Sequence, residues 1–311
     1  MKIDWKLEKT KPVFDRLKTA DSVLLPHTRL GAMAVYFGLL LFSVLAMLLL
    51  EATATYTVRK ITGTVSSLAS TMIALLGTSA QIAAFTLYAK YYLHSSLQWM
   101  GFVKKRALLH YLIGIVCGIA LFGGAVWVAS LLGVLNYKSK GIITPQMFAW
   151  LTLGWFVQGL SEEVDTRGFL MILRGQFEKP WHAIFGSAVI FSLMHVGNDG
   201  ITVYALFNLT LFGIMESLIF LRTGSIWGCA ALHSFWNLAQ GNLFGLPVSG
   251  IDAGRSVLWY TLDSGANEFL TGGGFGLEGS ICVTAVLLLG ILAAFLLPQT
   301  KLSKQTEETD S

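Results

Sequence analysis

The sequence predicts an all-α fold, a polytopic transmembrane helix bundle of about eight helices. Two observations predict it. Hydrophobic residues make up 54% of the chain and charged residues 13%, whereas a soluble domain carries roughly 25% charge. The charges are also segregated, leaving apolar runs that match the roughly 20 helical residues needed to cross a hydrocarbon core of about 30 Å. A soluble globular domain is excluded on both counts.

Taken in order, residues 1–29 are expected to form a cytoplasmic N-terminal extension, because their seven Lys and Arg make too long and polar a lead for a cleaved signal peptide. Transmembrane helices are expected at 30–50, 66–92, 108–134, 147–173, 182–197, 202–221, 225–242 and 280–297. Residues 30–299 then form a single transmembrane domain with a core at 147–242, and 300–311 a polar C-terminal tail. Sixteen basic residues fall on the N-terminal side of this topology and five on the other, which places both termini in the cytoplasm by the positive-inside rule. Segment 182–197 is shorter than a full span, and a re-entrant course there would reverse every later orientation. The six prolines lie at or outside segment ends, so unbroken helices are expected.

Cys117, Cys229 and Cys282 lie apart within apolar segments and read as small core residues, not as a disulfide framework. The basic residues gather at segment ends without aromatic interleaving, which excludes nucleic acid and leaves the lipid bilayer as their partner. The loop 243–279 carries Gly272, Gly273, Gly274 and Gly276 but lacks the Lys and Ser/Thr of a phosphate cradle, so it is expected to be a shaped loop.

Ionisable side chains inside a membrane cost several kcal/mol, so those retained usually face the protein interior and have a task. The fourth segment carries Glu162, Glu163, Asp165 and Arg167. At 100° per residue Glu163 and Arg167 share one face, while Glu162 points elsewhere and is left for chemistry. The fifth segment ends at His195, and the seventh places His233 and Asn237 four residues apart on one face. Each feature alone is as well explained by helix packing or a buried ion-pair network. Together they change the reading: a carboxylate and a histidine can deprotonate a water, while a second histidine and an amide can donate to an oxyanion. No HExxH or GxSxG motif offers another route to amide hydrolysis.

The ordered trio Glu162-Glu163-Val164-Asp165-Thr166-Arg167, Phe191-Ser192-Leu193-Met194-His195 and His233-Ser234-Phe235-Trp236-Asn237 resembles the CPBP (Abi) family of CAAX proteases and bacteriocin-processing enzymes, which includes the type 2 CAAX prenyl protease. The resemblance covers about 147–242 and implies an intramembrane endopeptidase. Glu162 and His195 would activate water, His233 and Asn237 would form the oxyanion site, and Glu163 with Arg167 would support them. Its expected partner is a peptide or lipidated protein substrate, such as a CAAX-type prenylated tail or a bacteriocin or signalling-peptide precursor. Its expected location is a bacterial plasma membrane, spanned several times with a cytoplasmic N-terminus. Asp165-Thr166 departs from the apolar residues common in the family, and Glu216 is a further buried acid; they could retune the site, bind a polar group of the substrate, or pair with Arg222 or Arg167.

Members are often called metalloproteases, and zinc, if bound, would take Glu162, His195 and His233 as ligands with a fourth position open to water. Asn237 is a poor zinc ligand and a good amide donor, so metal-free activation is expected and no cofactor is required by the sequence. Two other function classes compete: an ion-coupled transporter using Glu162, Asp165, Glu216 and His233, and a non-enzymatic immunity or scaffold membrane protein.

Overall fold

The computed structural model describes residues 28–263 and 265–298, so the expected cytoplasmic extension up to residue 27 and the tail from residue 300 lie outside it. Helical segments occupy all eight expected places. They are α1 (Arg29–Thr62), α2 (Ser67–Tyr92), α3 (Ala107–Leu131), α4 (Pro145–Glu163), α5 (Pro180–Leu193), α6 (Val203–Thr223), α7 (Ile226–Leu238) and α8 (Ile281–Leu296). Hydroxyl side chains start most of them. Thr28, Ser66, Thr144, Thr202, Ser225 and Ser280 each accept a hydrogen bond from a first-turn N–H, which satisfies donors that neither the helix nor lipid can pair.

Eight crossings do not follow from eight segments. Among the described residues four helices, α1, α2, α3 and α6, are long and apolar enough to span a membrane. The fifth, α5, has 14 residues, which at 1.5 Å each rise about 21 Å and fall short of the core thickness. The expectation of unbroken helices is also corrected. α2 is interrupted at Thr78 and widens to π turns at Tyr88–Tyr92. α4 runs on through π turns at Val164–Met171 to Arg174, and α7 through Ala239–Leu243. None of these breaks needs a proline; such turns hold one extra residue per turn and recur at functional sites. The all-α expectation misses a two-stranded antiparallel sheet, β1 (Leu135–Lys140) with β2 (Leu258–Leu262), registered Leu135 to Leu262 with a bulge between Tyr137 and Ser139.

The polar helices sit inside the long apolar ones. Leu41, Phe42, Leu45, Leu48 and Leu49 of α1 are exposed, as lipid-facing residues would be. Val164 to Met171, by contrast, is buried at every position. Small residues let the backbones close on α7. A Cβ added at Gly118 of α3 would lie 2.4 Å from the carbonyl oxygen of Leu232, and one at Gly159 of α4 would lie 2.8 Å from the amide nitrogen of Ser234. α7 is therefore clasped on two sides at the turn that carries His233.

Candidate active site

Two helices and one turn bring the polar motif residues to a single cavity of about 890 Å³, lined by Glu162 and Gln158 of α4, His195 just beyond α5, and His233 and Asn237 of α7. The four expected catalytic residues therefore meet. Apolar rings surround them. Phe191 and Phe212 stand edge-on to the His233 ring at 5.9 and 5.0 Å, and Phe191 stands edge-on to the His195 ring at 5.0 Å.

Glu163, fully buried, binds Arg167 at 2.9 Å across the α4 junction with the π turns, as the four-residue spacing requires. The Arg167 guanidinium also donates to Thr166 Oγ1 at 2.7 Å and lies 4.6 Å above the Phe191 ring. The same oxygen of Glu163, Oε1, meets His233 Nδ1 at 2.9 Å. A carboxylate held by a guanidinium can only accept, so Nδ1 carries the proton and His233 Nε2 is left toward Glu162, whose Oε2 is 3.4 Å away. The tautomer of His195 is set likewise: its Nδ1 meets the Phe191 carbonyl oxygen at 2.9 Å and must donate, leaving the Nε2 lone pair.

Glu162, expected from the sequence to be left for chemistry, has a partner within its own helix. Gln158, one turn earlier, donates from Nε2 to Glu162 Oε1 at 2.7 Å. Asn237 Nδ2 donates to Gln158 Oε1 at 2.9 Å. Gln158 thus ties the acid to the amide, and no role was assigned to it from sequence. The signal was its place four residues before Glu162. The Oε2 atom of Glu162 is buried without a hydrogen-bond partner in the protein.

The turn that carries His195 is braced from the loop 243–279, which does prove shaped. Asn198 donates to the Ser249 carbonyl at 2.9 Å, and Gly250 N donates to the Phe275 carbonyl at 2.9 Å. Gly250 has φ of +84°, and a Cβ there would lie 2.1 Å from Asp199 O, so only glycine lets this loop approach. Glu278 accepts from Ser249 N at 2.7 Å and from Trp236 Nε1 at 3.2 Å, joining the loop to α7.

Asp165 and Glu216 are fully buried but do not line the cavity. Glu216 does not pair with Arg222, which donates instead to the Phe295 carbonyl at 2.7 Å.

A tetrahedral zinc with bonds of about 2.0–2.1 Å holds its ligand atoms roughly 3.3 Å apart, which the 3.4 Å between His233 and Glu162 matches for one edge. The third ligand does not complete it. Among the described residues, the ligand atoms that gather within 4.8 Å of one another belong to Glu163, Glu216 and Cys229, not to Glu162, His195 and His233. That buried set could hold an ion, but it lies behind the cavity wall, with none of its members lining the cavity.

No curated protein matches the chain. Residues 144–239, from the N-cap of α4 to the end of α7, match the family model described as Type II CAAX prenyl endopeptidase Rce1-like. The matched stretch holds all six motif residues, Glu162, Glu163, Arg167, His195, His233 and Asn237. In this stretch the chain is similar to the Rce1-like type II CAAX prenyl endopeptidases, in agreement with the CPBP resemblance of its motifs.

Proposed function

We propose that this chain is an intramembrane endopeptidase that hydrolyses a peptide bond of a membrane-associated substrate by water activated at Glu162 and His195. The observation that carries the reading is the convergence of Glu162, His195, His233 and Asn237 on one cavity among apolar helices. Glu162 Oε2 takes one proton of the water while His195 Nε2 accepts a hydrogen bond from its other O–H, and the water oxygen attacks the scissile carbonyl carbon. The oxyanion accepts from the second N–H of Asn237, the first being held by Gln158. His233, its Nδ1–H held by Glu163, faces the same oxyanion with Nε2 and donates there only as the imidazolium. The proton first taken from water then passes to the leaving amine as the C–N bond breaks. No step is routed through a metal here, since among the described residues the ligand atoms of Glu162, His195 and His233 do not all lie within 4.8 Å of one another.

A prenylated protein tail, a bacteriocin precursor or a signalling peptide would fit such a cavity, and the basic residues at the segment ends favour cytoplasmic termini. The transport reading gains no support from Asp165 and Glu216, which are shut off from the cavity. The test is cleavage of prenylated and unmodified precursor peptides by purified native chain, Glu162→Ala and His195→Ala. Loss of at least about 10³-fold in both folded variants is expected, within the range for removal of a general base. Equal cleavage by all three would refute the site and favour a binding or scaffold role.

A further inference from the structure

We propose that Glu163, Glu216 and Cys229 form a buried site for one divalent transition-metal cation such as zinc, which ties α4, α6 and α7 together behind the cavity. The inference goes beyond the endopeptidase reading and does not depend on it. Glu163 ends α4, Glu216 lies in α6, and Cys229 lies near the start of α7. One ligand atom from each lies within 4.8 Å of the other two, and all three residues are fully buried.

The set carries polar atoms that nothing in the protein satisfies. Neither carboxylate oxygen of Glu216 has a hydrogen-bond partner, and Oε2 of Glu163 has none. Burying a carboxylate without a partner is costly, and an acid kept inside a membrane segment implies a task. Neither nearby arginine serves Glu216. Arg167 spends Nη1 on Glu163 Oε1 and Thr166, and Arg222 donates to the Phe295 carbonyl. Glu163 Oε1 is shared between Arg167 and His233, so Oε2 is the oxygen it has left for an ion.

The donors select the ion. Glu163 Oε2, both oxygens of Glu216 and the Cys229 thiolate give four, the number in a closed structural zinc site, and a thiolate disfavours magnesium and calcium. Zinc bonds of about 2.0–2.3 Å hold ligand atoms roughly 3.3–3.5 Å apart, so closing the set around an ion moves each atom by less than about 1 Å. Cys229 now donates its S–H to the Glu216 backbone carbonyl at 3.4 Å, and binding releases that proton. Two carboxylates and a thiolate then carry three negative charges, which a divalent ion and the Arg167 guanidinium cancel. Asp165, also fully buried, stands outside the set. The rival way to offset the charge is a proton shared between Glu163 and Glu216, and that arrangement binds no metal.

The full-length chain is expressed with zinc or cobalt in the medium, purified in detergent through a histidine-free tag, and its metal content read by mass spectrometry. A single ion per chain is expected. The cobalt form of the unmutated chain should show thiolate-to-cobalt charge-transfer absorption, which an ion held by Glu162, His195 and His233 could not give. Folded Cys229→Ser and Glu216→Gln should hold the ion at least about tenfold more weakly, while Glu162→Ala and His195→Ala keep it. Because no member of the set lines the cavity, chelator should strip the ion only as the chain unfolds. Native chain without metal under both supplements overturns the proposal and leaves the shared proton. An ion kept in Cys229→Ser but lost in Glu162→Ala or His195→Ala lies in the cavity, which overturns both this proposal and the metal-free route.

Discussion

Replacing Gln158 by Leu removes both ends of the link between the acid and the oxyanion donor. One lost bond is to a carboxylate at 2.7 Å and the other is between neutral amides at 2.9 Å. A hydrogen bond to a charged group contributes about 1.5–3 kcal/mol and a neutral one about 0.5–1.5 kcal/mol. Glu162 keeps 18% of its side chain exposed, so water replaces part of the first. A net loss of about 2.7 kcal/mol in the organised site corresponds to roughly 10²-fold in kcat. KM should change little, because both lost bonds are within the protein. Steady-state cleavage, with thermal melting to certify the fold, reads this out. A folded Gln158→Leu variant whose kcat stays within about threefold of native would show that the link does not organise the site.

Glu163→Gln alone leaves Arg167 buried without its counter-charge, so a loss of about 3–5 kcal/mol in stability is expected, and pairing it with Arg167→Met should recover most of that loss in a denaturation series. Gly118→Leu drives a side chain into the α7 backbone, and a cost of at least about 1–3 kcal/mol should appear as a lower melting temperature. Elemental analysis of the purified protein should find no zinc whose removal by chelator abolishes cleavage; zinc at one per chain, lost together with activity, would refute the metal-free route.

The helical segments were legible because membrane insertion writes them as runs of apolar residues; α3 falls almost where hydropathy puts it, whereas α1 runs on past its expected end at residue 50 to Thr62. The motif residues were legible because charge in such a run needs a reason. What stayed hidden depends on contacts between segments. The brace from Ser249 to Glu278, the pairing of β1 with β2, and the sharing of Glu163 between Arg167 and His233 join residues far apart in the chain. The close approach on α7 did have a signal, Gly114 and Gly118 one helical turn apart, a spacing that lets transmembrane backbones meet.

The buried charges explain one another. Arg167 neutralises Glu163, and the neutralised carboxylate can still accept from His233, so one oxygen fixes both the ion pair and the imidazole tautomer. The chain of contacts then runs from Arg167 through Glu163 and His233 to Glu162, Gln158 and Asn237. Its members come from only two helices, α4 and its extension and α7, and Gly159 is what lets those two meet closely. His195 alone arrives from outside, on a turn fixed by the loop 243–279. The geometry of α4 against α7 therefore governs Glu162 and the oxyanion donors, while the loop governs His195, the other member of the water-activating pair. Loosening the loop by Glu278→Gln should lower cleavage without disturbing the Glu163–Arg167 pair or the helix packing, so activity should fall at nearly unchanged melting temperature. A matched fall in both would mean that the loop and the bundle fold as one unit and that the division of labour is wrong.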